Sequence, residues 1–213
     1  MKDKLKILIA VPCMDMVNAQ FAQSLATLNK SGECAVSFVL GSLIYDSRNK
    51  LAQQALTFEA DYIMWFDSDM CFQPNTLLKL LEDDKDIVSG LYFRRAMPYT
   101  PVAFSKIAID EKGEADFEDY KGELSGLHQI GGVGFGCVLM KTDVIMECMA
   151  KYGTCFSPIA GYGEDLSFCW RAQELGYEIW LDADVKCGHC GHIVVTQNFY
   201  EACSEGENDE SKS

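Results

Sequence analysis

The chain is predicted to form an α/β domain, a three-layer α/β/α sandwich around a mostly parallel sheet. Three observations carry this expectation. Short apolar runs recur at 4–11 (KLKILIAV), 35–40 (AVSFVL) and 61–66 (DYIMWF), and they are continuous rather than alternating, as strands buried on both faces are. The stretches between them carry apolar residues at helical spacing, which is the alternation that produces parallel sheets. The length of 213 residues, 48% of them apolar, supports a sizeable core in one domain or two small ones.

Taken in order, Lys4–Val11 is closed by Pro12 and reads as a buried strand whose exit loop begins at Pro12-Cys13-Met14-Asp15. Phe21, Leu25 and Leu28 mark a helix within Asn18–Asn29, Ser31-Gly32 breaks it, and Ala35–Leu40 completes a β-α-β unit. Asp46 is placed to cap a helix over Ser47–Glu59, with Leu51, Ala55 and Phe58 on one face, and Asp61–Phe66 follows as a strand. Pro74 suits the first turn of a helix bearing Leu77, Leu78 and Leu81, after which strand character returns over Ile87–Phe93. Residues 94–130, with prolines at 98 and 101 and an acidic stretch near Glu111–Asp119, read as an irregular excursion of the kind that carries specificity. Ile130–Lys141 is a glycine-rich loop running into a strand, Asp143–Tyr152 a helix, and Glu164–Leu175 a helix stopped by Gly176. Glu178–Leu181 and Asp184–Cys187 read as two last strands. The polar, acidic stretch from Ser204 reads as a disordered tail, so the domain is expected over 1–203 with 204–213 as tail.

Composition excludes several classes. Lys and Arg number 18 against 32 Asp and Glu, a net charge of −14, which opposes a general surface for nucleic acid. No apolar run approaches the roughly 18–20 residues of a membrane span, and Met1–Lys6 has no signal-like apolar stretch. A cytoplasmic protein without a membrane span is the expectation. The ten cysteines are scattered, many of them in apolar runs, and suit buried thiols in a reducing compartment better than a disulfide framework.

Four constellations carry chemistry. Asp67-Ser68-Asp69 directly follows an apolar strand, which delivers two carboxylates to the edge of the sheet where ligands of open α/β folds bind. There they suit a hard divalent cation such as Mn2+ or Mg2+ with phosphate oxygens completing its shell, or else they are two solvated turn residues. Gly163-Glu164-Asp165 opens a helix; Asp165 reads either as its N-cap or as a general base, with Glu164 beside it to orient an acceptor. His189, just past the last strand, suits a third metal ligand with Asp67 and Asp69. The alternative is a local zinc site from Cys187, His189, Cys190 and His192, against which stands the difficulty of converging four ligands within six residues. Gly131, Gly132, Gly134 and Gly136 permit close backbone approach, while Arg48-Asn49, Arg94-Arg95 and Lys141 are scarce cations that an anionic substrate needs in an acidic chain.

With these residues in place, the chain resembles glycosyltransferases of the glycosyltransferase-A fold, close to the family-2 type and to small bacterial or phage-borne members. The resemblance runs from about Lys4 to His192: a first strand ending in VP, SRN opening a helix, YIMWFDSD with its DxD, IGGVGFG, GEDLSFCWRAQELGY and CGHCG. It implies a nucleotide-diphosphate sugar donor and an acceptor hydroxyl of unknown kind. It also implies a divalent metal on Asp69 with help from Asp67 and His189, and Asp165 as base of an inverting transfer. The nucleotide is then expected on the loops after the first two strands, around Pro12–Asp15 and Asp46–Asn49, with Asp67, Ser68 and Gly132 alongside. Cys190 and His192 stand outside that pattern. Two other classes remain: a nucleotidyltransferase or phosphohydrolase using the same strand-end aspartates on a phosphate, and a non-catalytic zinc module built on the Cys/His cluster.

Overall fold

The computed structural model describes residues 4–41, 43–191 and 194–202. His192 and the stretch 204–213 lie outside them. In chain order the elements are β1 (Lys6–Cys13), α1 (Ala19–Thr27), β2 (Glu33–Leu40), α2 (Ile44–Thr57), β3 (Tyr62–Phe66), β4 (Met70–Cys71), α3 (Thr76–Glu82), β5 (Ile87–Leu91), β6 (Ala103–Ile109), β7 (Ala115–Asp119), β8 (Leu127–Ile130), β9 (Gly132–Val133), β10 (Cys137–Lys141), α4 (Thr142–Tyr152), α5 (Glu164–Gln173), β11 (Ile179–Lys186), β12 (Gly188–Cys190) and β13 (Val194–Val195).

The central sheet has seven strands in the order β2-β1-β3-β10-β5-β11-β8. Five run in one direction, while β10 is antiparallel to both β3 and β5, and β8 is antiparallel to β11. The sheet is therefore mixed, though mostly parallel in strand direction. The reversal at β10 has a simple cause: the chain leaves β5 at one sheet edge and pairs β6 with β7 and β9 in a small second sheet. It then re-enters the main sheet without a helical crossover, so β10 runs back the other way. The irregular excursion expected over 94–130 is thus largely an ordered hairpin. A third small sheet, β13-β12-β4, ties the segment after β3 to the segment after β11.

Side chains alternate between two cores along each central strand. Leu8, Ala10, Ile63 and Trp65 join Leu51 and Ala55 of α2, Val144 and Ile145 of α4 and Phe168 of α5. Ile7, Ile9, Val11, Met64 and Phe66 join Phe21 of α1 and Leu77 and Leu80 of α3. The period of two along a strand makes both faces apolar, which is why the sequence shows unbroken apolar runs.

Two local expectations are corrected. Helix α2 begins at Ile44 with Leu43 at its N-cap and no side-chain cap, so Asp46 sits in the first turn and acts on the helix dipole instead of capping. Asn18 does cap α1, accepting from the Gln20 N–H at 2.8 Å. The two strands expected at 178–187 are one, β11, whose register with β5 shifts between Asp182 and Lys186; an irregularity inside one strand looks like a break in the sequence.

One carboxyl pair lies away from any cleft. Asp83, at the end of α3, is pushed up to about 6, first by burial and then by the charge of Asp182, itself buried in β11. The folded chain therefore holds a proton that the unfolded chain releases near pH 4. Stability falls as pH rises between about 4 and 6 and stays lower above that window. Asp83→Asn is expected to stabilise the protein by about 1 kcal/mol at pH 7.5, after discounting for solvent screening, or about 2–4 °C in a domain of this size. Thermal melts should show no such gain at pH 4; an equal gain at both pH values would dissociate Asp83 from the effect.

Candidate active site

A cleft of about 330 Å³ opens where β1 and β3 end. From β1 the chain places β2 on one side and β3 on the other, and the crevice at such a switch point is the place where open α/β sheets bind ligands. The β1–β3 ladder ends at Ala10 and Trp65 while β1–β2 pairing continues to Cys13 and Leu40. Pro12 thus lies where one neighbour has peeled away, so its missing N–H costs little there. Of the residues singled out from the sequence, Pro12, Arg48, Asp67, Ser68, Asp69, Glu164 and His189 line this cleft.

Arg48 is the electrostatic centre. Its side chain is 2% exposed, donates from Nη2 to Asp67 Oδ1 at 2.9 Å and from Nε to Glu164 Oε1 at 3.2 Å, and lies over the rings of Trp65 and Phe135. Burial alone would lower its proton affinity, but Asp67, Glu164 and Asp165 outweigh that and raise it. The aromatic bed of Trp65, Phe135, Phe156 and Phe168 fixes the guanidinium plane, an arrangement for which arginine is suited and lysine is not. Arg48 Nη1 is buried with no hydrogen-bond partner, a cost an anionic ligand or a water in the cleft would offset. Burial pushes Asp67 up, Arg48 opposes it, and Asp69 adds to the rise. Asp67 thus pairs with Arg48 through Oδ1, and Glu164 through Oε1.

Asp69 and His189 meet because β4 and β12 pair, with His189 opposite Met70 and the Cys190 N–H donating to the Asp69 carbonyl at 2.7 Å. His189 Nδ1 lies 2.9 Å from the Phe93 carbonyl. A carbonyl only accepts, so Nδ1 carries a proton; Nε2 then donates to Asp69 in the charged ring and offers a lone pair in the neutral one. Nε2 faces Asp69 Oδ1 at 3.6 Å, a carboxylate and an oriented imidazole of the kind that hold a divalent cation. Burial would raise Asp69, yet the hydrogen bond and charge that His189 supplies when both its nitrogens are protonated, and the charge of Arg95, hold it below the ordinary range. Arg95 Nη1 is 2.8 Å from Asp69 Oδ2. Among the described residues no three His, Cys, Asp or Glu side chains gather as a metal cage; Asp69 and His189 approach each other, while Asp67 pairs through Oδ1 with Arg48.

Asp165 follows the cleft-lining Glu164 in the first turn of α5 and does not itself line the cleft. The N-cap of α5 is Gly163, so the capping alternative for Asp165 does not hold. Its Oδ1 accepts from the Leu166 N–H at 2.7 Å, and a Cβ added to Gly134 would come 3.5 Å from its Oδ2. Burial, then Glu164, push its pKa up to about 6 against the pull of Arg48. Of the glycines in the loop at 131–136, Gly134 meets this carboxylate, whereas Gly132 lies against Leu166 and Ile107, where a Cβ would crowd them at 3.0 and 3.2 Å. Gly132 is a packing residue of β9. Tyr92, which the sequence reading passed over as the end of an apolar strand, is buried between these groups. Its hydroxyl accepts from the Gly136 N–H at 3.0 Å, and the nearby Asp67 adds to the effect of burial in raising its pKa far above the usual phenol range.

Other sequence candidates go elsewhere. Asn49 Oδ1 accepts from the Thr154 hydroxyl and the Cys155 and Phe156 N–H groups, so it pins the loop after α4. Asp15 is exposed on the loop after β1 and does not line the cleft. The Cys/His cluster diverges: Cys187 meets Cys137, Cys190 Sγ lies 2.7 Å from Cys71 Sγ, and His189 faces Asp69. Alternation along β12 drives neighbouring side chains to opposite faces, which separates the ligands of the zinc alternative.

No protein-family model and no curated protein sequence matches the chain. Solved structures do. The crystal structure of A197 from STIV matches with a TM-score of 0.64 at 14% identity, over 91% of this chain and 95% of that one. The crystal structure of GalNAc-T7 with UDP, GalNAc and Mn2+ matches with a TM-score of 0.57 at 11% identity, over 88% of this chain and 44% of that one. The chain thus spans less than half of the GalNAc-T7 chain. At such identities the likeness is one of architecture: the chain shares the mixed α/β fold of A197 and of part of GalNAc-T7.

Proposed function

We propose that the protein is a metal-dependent glycosyltransferase of the three-layer glycosyltransferase-A type. It would move a sugar from a nucleotide-diphosphate donor to an acceptor hydroxyl with inversion. The observation that carries this reading is the meeting of Asp69 with Nε2 of His189 in the cleft at the β1/β3 switch point, which Glu164, the neighbour of Asp165, also lines. The fold shared with a structure containing UDP, GalNAc and Mn2+ supports it.

In this reading Asp69 Oδ1 and His189 Nε2 hold Mn2+ or Mg2+, which supplies charge neutralisation for the leaving diphosphate. Pro12, Ser68 and the loop after β1 border the nucleotide. Arg48 keeps Asp67 and Glu164 paired and in place, so that their charge does not oppose an incoming anion. Asp165 takes the proton of the acceptor hydroxyl as its oxygen bonds to the anomeric carbon and the bond from that carbon to the diphosphate oxygen breaks. Asp165 then carries the proton and the nucleoside diphosphate leaves with the electron pair.

The test is hydrolysis of UDP-, GDP-, CDP- and dTDP-sugars with Mn2+ or Mg2+ and again with a chelator, since slow donor hydrolysis needs no acceptor. Nucleoside diphosphate released from one donor only with metal is the expected result, with loss of metal-dependent nucleotide binding in Asp69→Ala. Release of nucleoside monophosphate and sugar phosphate would instead assign a phosphohydrolase. Absence of both turnover and metal-dependent nucleotide binding across the panel would overturn the reading.

A further inference from the structure

Arg95 has a place in the cleft that the proposed chemistry does not use. It stands in the turn at 95–98, which the Arg94 N–H to Thr100 carbonyl bond and the Phe93–Pro101 bridge close. Its guanidinium reaches back into the cleft, with Nη1 2.8 Å from Asp69 Oδ2 and 3.3 Å from the Cys190 carbonyl. The side chain is half-exposed, unlike the buried Arg48, and no ring or second carboxylate holds it among the interactions of the described residues. Both its acceptors lie at the β4–β12 junction that brings Asp69 to His189.

We infer that Arg95 is a cation latch: it occupies Asp69 in the empty protein, is released when a divalent cation takes that carboxylate, and then binds the diphosphate. The inference rests on the assignment of Asp69 and His189 as metal ligands. Its logic is electrostatic. A divalent ion held between Asp69 Oδ1 and His189 Nε2 would lie beside the guanidinium on Oδ2, and two cations on one carboxylate repel. The group able to leave is Arg95, since its side chain already borders solvent and its turn at 95–98 is exposed. Once free at the cleft mouth, the guanidinium meets a planar, bidentate partner in a diphosphate, which arginine binds well. The consequence is a coupling of fixed sign: Arg95 opposes metal binding in the absence of diphosphate and favours metal with diphosphate together. The nearby Arg94 does not share this role, because its Nη2 is tied to Asp119 at 2.8 Å on the small sheet.

Calorimetry on the full chain tests this with Mn2+ alone and with a preformed Mn2+–pyrophosphate complex, for wild type, Arg95→Met and Arg95→Lys. Because the residue is half-exposed on a turn, these variants keep the fold, which melting curves verify. With Mn2+ alone, Arg95→Met is expected to bind about fivefold more tightly than wild type, the scale of a partly exposed ion pair, with Arg95→Lys between them. With Mn2+–pyrophosphate the order reverses, wild type binding more tightly than Arg95→Met. Equal or weaker Mn2+ binding by Arg95→Met would overturn the latch while leaving the metal ligands standing. No Mn2+ binding by any of the three proteins would overturn the metal assignment, and the latch with it. Failure of pyrophosphate to distinguish wild type from Arg95→Met would overturn the diphosphate half.

Discussion

Replacing Arg48 with Met is expected to destabilise the fold by about 3–5 kcal/mol at pH 7.5, the usual result of stripping one partner from a buried ion pair. Arg48 is 2% exposed and bonded to both Asp67 and Glu164; without it two carboxylates face each other, with Asp165 and Asp69 close by, and Arg95, the other arginine lining the cleft, is paired with Asp69. Met fills much of the space over Trp65 and Phe135, so the loss reports charge more than cavity. Urea unfolding of Arg48→Met against the triple variant Arg48→Met/Asp67→Asn/Glu164→Gln separates the two terms. The triple variant should recover most of the stability, because replacing a whole buried ionic group by neutral residues is tolerated. A loss of less than about 1 kcal/mol in the single variant would mean that solvent screens the cluster as it does a surface pair.

The second large effect is on Asp165. Asp165→Asn is expected to lower transfer by about 10²–10⁴-fold, the scale of a lost general base, with donor binding nearly unchanged. Because burial and Glu164 push the wild-type carboxyl up to about 6, kcat/KM should rise through pH 6 and level off above it as the base ionises. The same shift has a stability consequence of opposite sense. The raised value means that the fold disfavours ionised Asp165, so wild type loses stability as pH rises from about 4 to 6. Asp165→Asn should therefore be the more stable protein at pH 7.5 and of wild-type stability at pH 4, by about 1 kcal/mol after allowance for screening. A variant that is inactive yet more stable marks a group held against its preference for catalysis. Full transfer activity in Asp165→Asn would remove the base assignment.

Much of the fold was legible because its information is local. Strands buried on both faces show as the runs KLKILIAV and DYIMWF, and the helices between them show by spacing. The positions of Asp67-Ser68-Asp69 and of Glu164-Asp165 followed from this, since a residue after a strand or at a helix start is located by the element itself. Illegible from the chain was the direction of β10, because an apolar run reads the same whether it pairs parallel or antiparallel. The partners of polar groups were also hidden. Asn49 reads as an anion ligand next to Arg48 but spends its oxygen on the loop at 154–156, and Gly132 differs from Gly134 only in what approaches it. Tyr92 gave no signal at all, since an aromatic at a strand end is indistinguishable from core.

The sequence by itself therefore determined which residue types stand at the ends of which elements, a consequence of backbone periodicity and chain connectivity. Only the tertiary structure decided which of them touch. Asp67 and Asp69 are two residues apart, yet one is drawn to Arg48 on α2 and the other to His189 on β12 and to Arg95. The reason is that charge pairing acts through space at a few ångströms, and the distances are set by how α2, β4 and β12 pack, which no spacing along the chain encodes.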